Sequence, residues 1–318
     1  MRPFKTIDEQ IQILKDRGLI IEDHVETRNY LIRNNYYNVV NMYSKMFQNS
    51  ENSYIAGTTF KEIKALHIFD AELKNLFMKY IIIAEKHFKS IFAYYFSKTF
   101  HSKPYCYLDT SNYSDDNPLK LAKTLSFISN KILKSKNDRN PNAIKHHYEA
   151  HNDVPIWVIV NDITLGDISN IYELIDNKTR NDIAKEVCEI LKTNTNDNTI
   201  LEPTYLDKIL KNILRVRNCV AHNNKLLHFN SGINLNYMSS LFDGLVQSRR
   251  SSRQMPFHTF IALQCLLPIE DYAIFHNSIL KRANNMSKKL DSELTNKVLF
   301  AYGFPENWHI ETNKIPQP

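Results

Sequence analysis

Residues 59–100 read TFKEIKALHIFDAELKNLFMKYIIIAEKHFKSIFAYYFSKTF. Thr59 and Glu62 stand at capping-box spacing, where a hydroxyl and a carboxyl three residues on satisfy each other's backbone N–H groups. Behind them Ile63, Leu66, Phe69, Leu73, Leu76, Tyr80, Ala84, Phe88, Ile91 and Tyr95 step by three or four. Neither Pro nor Gly interrupts Lys61 to Phe100. The spacing predicts about 60 Å of helix, either one long element or two sharing an axis with a kink.

The same signals recur on both sides. Thr6 and Glu9 form a second capping box ahead of Ile7, Ile11 and Leu14, and Gly18 follows as a stop. Asp23 and Glu26 open another helix through Leu31. Residues 101–154, with Pro104, Pro118 and Pro141 among many Asn, Asp, Ser and Lys, read as a polar insertion, part loop, with short helices around Leu119 to Leu133. Apolar periodicity returns from Pro155 to Ile175, from Arg180 to Leu191, and from Pro203 to about His222. Residues 231–255 read as loop, and two more helices follow Pro256. The expected architecture is all-α: an N-terminal helical segment over 1–55, a helical core over 56–230 and a C-terminal lobe over 231–318.

Composition agrees. Only 6 of 318 residues are Gly, so few positions can take the backbone of tight hairpins or phosphate loops. No G-x-G-x-x-G, Walker-type loop or G-x-S-x-G occurs, which argues against dinucleotide, nucleoside-triphosphate and α/β-hydrolase chemistry. Cys106, Cys188, Cys219 and Cys265 lie far apart with no C-x-x-C, and read as buried, reduced thiols of a cytoplasmic protein. The first ten residues lack an apolar signal region, and no apolar run is long enough to span a bilayer. A net charge of +6 permits a nucleic-acid partner without requiring one.

The helix after Pro203 holds the candidate chemistry. On a wheel at about 100° per residue, Ile209, Leu210, Ile213, Leu214, Val220 and Ala221 fall within about 80° of Leu206. Arg217 falls at about 20°, a guanidinium in the middle of an apolar stripe. An Arg there needs a partner or a shared cleft, because an unpaired buried charge costs several kcal/mol. Five residues on stands His222, in the string Arg217-Asn218-Cys219-Val220-Ala221-His222.

R-N-x-x-x-H is the form of the Arg-x4-His motif of HEPN-superfamily ribonucleases. Its flanks, Leu214 to Leu226, resemble the Abi family of bacterial abortive-infection proteins (AbiD/AbiF-like). The resemblance extends through most of the chain. Pro3, Gln10, Leu14, Arg17-Gly18-Leu19, Asp23 and Tyr36-Tyr37 carry it at the start. Phe69-Asp70 with Leu73, Pro155 with Trp157, and Leu165-Gly166 with Ser169 and Tyr172 carry it in the middle. Gly303-Phe304-Pro305 with Trp308 carries it at the end. Two positions depart: Asn223 stands where the family often has a second His, and Lys225 where Arg is frequent.

The resemblance implies an abortive-infection toxin that cleaves RNA without a metal or other cofactor. The ribose 2′-OH attacks the adjacent phosphorus, leaving a 2′,3′-cyclic phosphate and a 5′-OH. His222 suits the proton transfers and Arg217 the charge on the phosphorane. Asn218, four residues before His222, is placed to orient it. Arg217 and His222 stand about 140° apart around the helix, so a distorted helix end or a homodimer is needed to bring such residues together. HEPN proteins generally pair two motifs across a two-fold axis. A small noncoding RNA is the expected inhibitor. Lys225 and the Arg249, Arg250, Arg253 run are candidate phosphate contacts.

Each feature has a plainer reading. Arg217 pairs with a buried acid such as Glu85, and His222 is a polar helix-end residue. Lys86, Lys89 and His87 on the long helix read as a solvated face sooner than as an RNA groove. Tyr30, Tyr36 and Tyr37 among Arg28 and Arg33 suit base stacking, with core packing the better role for at least one of the adjacent pair. His147 and His151, at i and i+4, are the one alternative metal pair. On these readings the chain is a non-catalytic RNA-binding or scaffold protein.

Overall fold

The computed structural model describes residues 4–49, 53–114 and 116–316. They are helical, with only isolated β-bridges such as Ile20 with Thr59. In order, the helices are α1 (Ile7–Asp16), α2 (His24–Asn34), α3 (Phe60–Phe100), α4 (Pro118–Lys136), α5 (Ala143–His151), α6 (Ile156–Ile159) and α7 (Leu165–Leu174). Then come α8 (Asn177–Thr195), α9 (Pro203–Ala221), α10 (Ser239–Phe242), α11 (Pro256–Ala262), α12 (Ile269–Ser287), α13 (Ser292–Ala301) and α14 (Trp308–Glu311).

The long apolar pattern forms one continuous helix of 41 residues, opened by the Thr59–Glu62 capping box. It needs no kink because its ladder meets no Pro or Gly. α12, α9, α8, α6 and α7 pack around it. Phe77 and Tyr80 of α3 meet Phe275 of α12, the latter pair stacked at 4.5 Å between ring centroids. Phe88 meets Tyr172 of α7 edge-on. The buried core is contiguous from Ile11 to Trp308.

α1 ends as its sequence predicts. Gly18 takes φ 89°, its N–H donates to the Lys15 carbonyl at 2.8 Å, and that of Leu19 donates to the Leu14 carbonyl at 3.0 Å. This is a Schellman motif, closed by the buried Leu14 and Leu19. Gly166 serves a different end: a Cβ there would lie 3.3 Å from Leu214, so it lets α7 approach α9 closely.

Three expectations change. The insertion is more regular than it reads, because Asn117 caps α4 and Pro118 opens a full helix of 19 residues. Residues 231–255 contain the short α10. The segment after Pro256 divides into α11, α12, α13 and α14, because Pro268 and the Asp291 N-cap punctuate it. Among the described residues no helix is long and apolar enough to cross a membrane.

Candidate functional site

The buried face of α9 is centred on Ile209, Ile213, Val216 and Val220, rotated from the stripe drawn through Leu206. Leu214 and Arg217 are half-buried, and Ala221 is exposed. Arg217 therefore stands at the edge of the apolar face, not in its middle. Its guanidinium reaches the Asn218 side-chain carbonyl at 3.5 Å, and no described carboxylate forms an ion pair with it. Glu85, the acid closest to the plainer reading, is held by Lys89 at 2.7 Å.

His222 is the exposed C-cap of α9, its backbone N–H donating to the Asn218 carbonyl at 3.2 Å. Asn223 follows with φ 54°. The N–H of Asn223 donates to the Val220 carbonyl and that of Asn224 to the Cys219 carbonyl, each at 3.0 Å. This is a second Schellman motif, with Asn in the left-handed position it tolerates better than other non-Gly residues. The residue at the family's second His position thus builds the turn carrying His222.

That turn is locked from below. Asp70 of α3 has none of its surface exposed. One carboxylate oxygen accepts from the backbone N–H groups of Leu226 at 2.9 Å and Leu227 at 3.1 Å, and from the Tyr302 hydroxyl at 2.8 Å. The other accepts from the Tyr43 hydroxyl at 2.7 Å and faces Lys74 at 3.4 Å. Lys74 in turn donates to the Asn223 side-chain carbonyl at 2.7 Å. One carboxylate joins the N-terminal segment, the long helix, the post-motif turn and the C-terminal lobe. Sequence reasoning placed Asp70 in the resemblance without giving it a role; an Asp inside the apolar run of α3 is the signal that was available.

Arg217 and His222 open into different clefts, as their angular separation predicts. His222 lines a cleft of about 480 Å³ with Asn218, Lys225, Arg215, Tyr37 and Asn230. A π-helical turn over Tyr37–Asn41 sets the exposed Tyr37 at its mouth, and Lys225 donates to the Met42 carbonyl at 3.2 Å. Tyr36 is half-buried, and the Tyr30 hydroxyl is bound to His67 at 2.6 Å. Cys219 lines the same cleft, but burial and then the Asp70 carboxylate push its thiol up to about 11, which leaves it protonated and a poor nucleophile. Arg217 lines a second groove of about 1010 Å³ between α3 and α6.

Of the Arg-rich run, Arg249 and Arg250 are exposed, and Arg249 stands over the Tyr237 ring. Arg253 is buried and donates to the carbonyls of Leu235, Arg249 and Ser251. It pins the loop from inside and is not available to a phosphate, contrary to the sequence reading. His147 and His151 lie on α5 with ring centroids 5.4 Å apart. Among the described residues no group of three His, Cys, Asp or Glu side chains is arranged to hold a metal ion.

The chain is thus all-α, wound about one long helix, with Arg217 and His222 at the end of a second. The chain belongs to the Abi-like protein family, whose family model matches residues 29–228. The match spans α2 to the turn after α9, and so includes Asp70, Lys74 and the whole motif. The family associates the chain with abortive infection, the defence of bacteria against phage. No curated protein and no solved structure matches it.

Proposed function

We propose that the protein is an abortive-infection toxin: a metal-independent endoribonuclease of HEPN type, working as a homodimer and held in check by a small noncoding RNA. The observation that carries this reading is the Arg217–His222 pair at the locked end of α9. Its Arg has no carboxylate partner among the described residues, and its His is exposed to a cleft. A structural Arg at a helix–helix contact would be expected to hold an acid. A free one beside a cleft suits a phosphate.

In this reading His222 moves the proton of the attacking 2′-OH or of the leaving 5′ oxygen, and Arg217 stabilises the charge on the phosphorane. Asn218 orients the guanidinium rather than the imidazole, in keeping with its contact to Arg217. Lys225, Arg249 and Arg250 supply phosphate contacts away from the reacting atoms. Because the two motif residues of one protomer open into separate clefts, the composite site needs a partner's motif across a two-fold axis, with RNA between them.

Separate clefts equally suit the second reading, a non-catalytic RNA-binding protein of phage defence. Arg217→Ala and His222→Ala distinguish the two. Each is expected to abolish RNA cleavage and toxicity with an unchanged melting temperature, since proton transfer alone contributes about 10²- to 10⁴-fold. Cleavage retained in either variant excludes the assignment. A salt-dependent RNA shift with no cleavage by the natural protein favours the second reading.

A further inference from the structure

The groove between α3 and α6 has a composition that the motif does not require. Its α3 wall runs from Ile82 to His101, about 28 Å at 1.5 Å per residue. Along it Lys86, Tyr94 and Lys98 are exposed, and no ion pair engages either of those lysines among the described residues. Trp157 faces them from α6 with 56% of its surface open, and Tyr94 has 63% open. Arg217 lines the same groove. Among the described residues Glu85 is the one acid lining it, and Lys89 pairs with it.

We propose that this groove is a track for single-stranded RNA, in which bases stack on Trp157 and Tyr94 while Lys86 and Lys98 hold the phosphates and deliver the strand to Arg217. The proposal rests on the ribonuclease reading for its destination, not for its chemistry. Large exposed aromatics interleaved with uncompensated cations are what a sequence-tolerant single-strand site needs, because every base has a face to stack and every nucleotide a charge to pair. The same charges argue against a second copy seated directly in the groove. A two-fold interface lays a patch against a copy of the same patch, so a groove carrying Lys86 and Lys98 would be set against an equally cationic surface without the phosphates that neutralise it. A duplex fits less well, since its bases are already stacked and offer their faces to no side chain.

The chain has two tryptophans, and Trp308 is buried at 4% exposure, so a quench of fluorescence on binding reports Trp157. The test titrates the 318-residue chain with a 2′-O-methyl oligouridine of about 12 nucleotides, which lacks the attacking hydroxyl and stays intact. A saturable quench is expected, with affinity at least about tenfold weaker for a blunt duplex of the same length. Trp157→Ala and Tyr94→Ala are each expected to weaken binding of a fluorescein-labelled copy about tenfold. Lys86→Gln with Lys98→Gln is expected to reduce the salt slope by about 1.4, at about 0.7 per phosphate contact. All four side chains are exposed, so melting temperatures stay within a degree or two and a loss reads as lost contact.

Full affinity and an unchanged salt slope in these variants would overturn the proposal. So would a halved mass in Trp157→Ala with RNA binding intact, which assigns the groove to a second copy. Because the probe cannot be cut, failure here leaves the nuclease assignment to the His222 and Arg217 variants. Binding without any cleavage of natural RNA removes the nuclease and leaves the track.

Discussion

Asp70 shows what a single side chain does in this protein. Its carboxylate gathers two backbone N–H groups and two tyrosine hydroxyls from residues up to 232 positions away. Removing it strands those donors in the core, each at about 1–3 kcal/mol. Asp70→Ala is therefore expected to destabilise by at least about 4 kcal/mol in urea unfolding, whereas Tyr302→Phe, which removes one donor, costs about 1 kcal/mol. Equal effects from the two would show that Asp70 is no hub. His258 gives a pH signature. Its burial outweighs an opposing backbone hydrogen bond with Met255 and, helped by the Arg253 charge, lowers its pKa to about 4. A His held neutral in the fold is protonated first in the unfolded chain. Its share of stability is thus complete above about pH 6.5 and is lost as pH falls toward 4. His67 and His276 are lowered by burial in the same direction. Melting temperature is expected to drop across that window, and His258→Gln to shallow the drop; an identical slope in the variant would refute the assignment. At this scale the motif was legible and Asp70 was not, because a hub is made by groups that only folding brings together. Arg253 misled for the same reason: nothing in a Ser- and Arg-rich loop says which Arg turns inward.

The helices were the most legible part. Capping boxes at Thr6 and Thr59, Gly18 after α1 and Pro203 at the first position of α9 each mark the boundary they suggest. What the sequence hides is the exact rotation of a helix. A stripe drawn through Leu206 takes in Ala221, but the neighbours of α9 bury Val216 and Cys219 instead, and Arg217 moves to the edge. The abundance of Asn, mechanistically silent as composition, has a structural use. Asn35, Asn152, Asn196, Asn223 and Asn307 all adopt positive φ, work that a glycine-poor chain cannot give to Gly. Asn223 allows a direct test, since its backbone and its side chain do different things. Asn223→Gly keeps the left-handed turn and loses only the Lys74 bond, so stability should change little. Asn223→Ala adds about 1–2 kcal/mol of backbone strain. The melting temperature of the Ala variant should fall well below that of the Gly variant; an equal, large fall in both, which share only the loss of the Lys74 bond, would mean that the side-chain bond, not the turn, holds His222.

On the scale of the whole molecule, separate clefts for Arg217 and His222 make the assembly part of the account. Light scattering at micromolar concentration should give about twice the 37.3 kDa chain mass; a fully active monomer would exclude a site shared between protomers. The all-α class and the family were both readable, the first from unbroken periodicity and scarce Gly, the second from residues spread along most of the chain. A homodimer is expected only from the resemblance and from the single motif per chain, since an interface leaves no periodic mark. The most direct measurement is the chemistry of the cut ends, taken on RNA treated with purified protein in EDTA. The account predicts 2′,3′-cyclic phosphate and 5′-hydroxyl termini, produced without a divalent ion and absent with His222→Ala. Termini bearing a 5′-phosphate and a 3′-hydroxyl, or cleavage that stops on chelation and returns with a divalent ion, would contradict it.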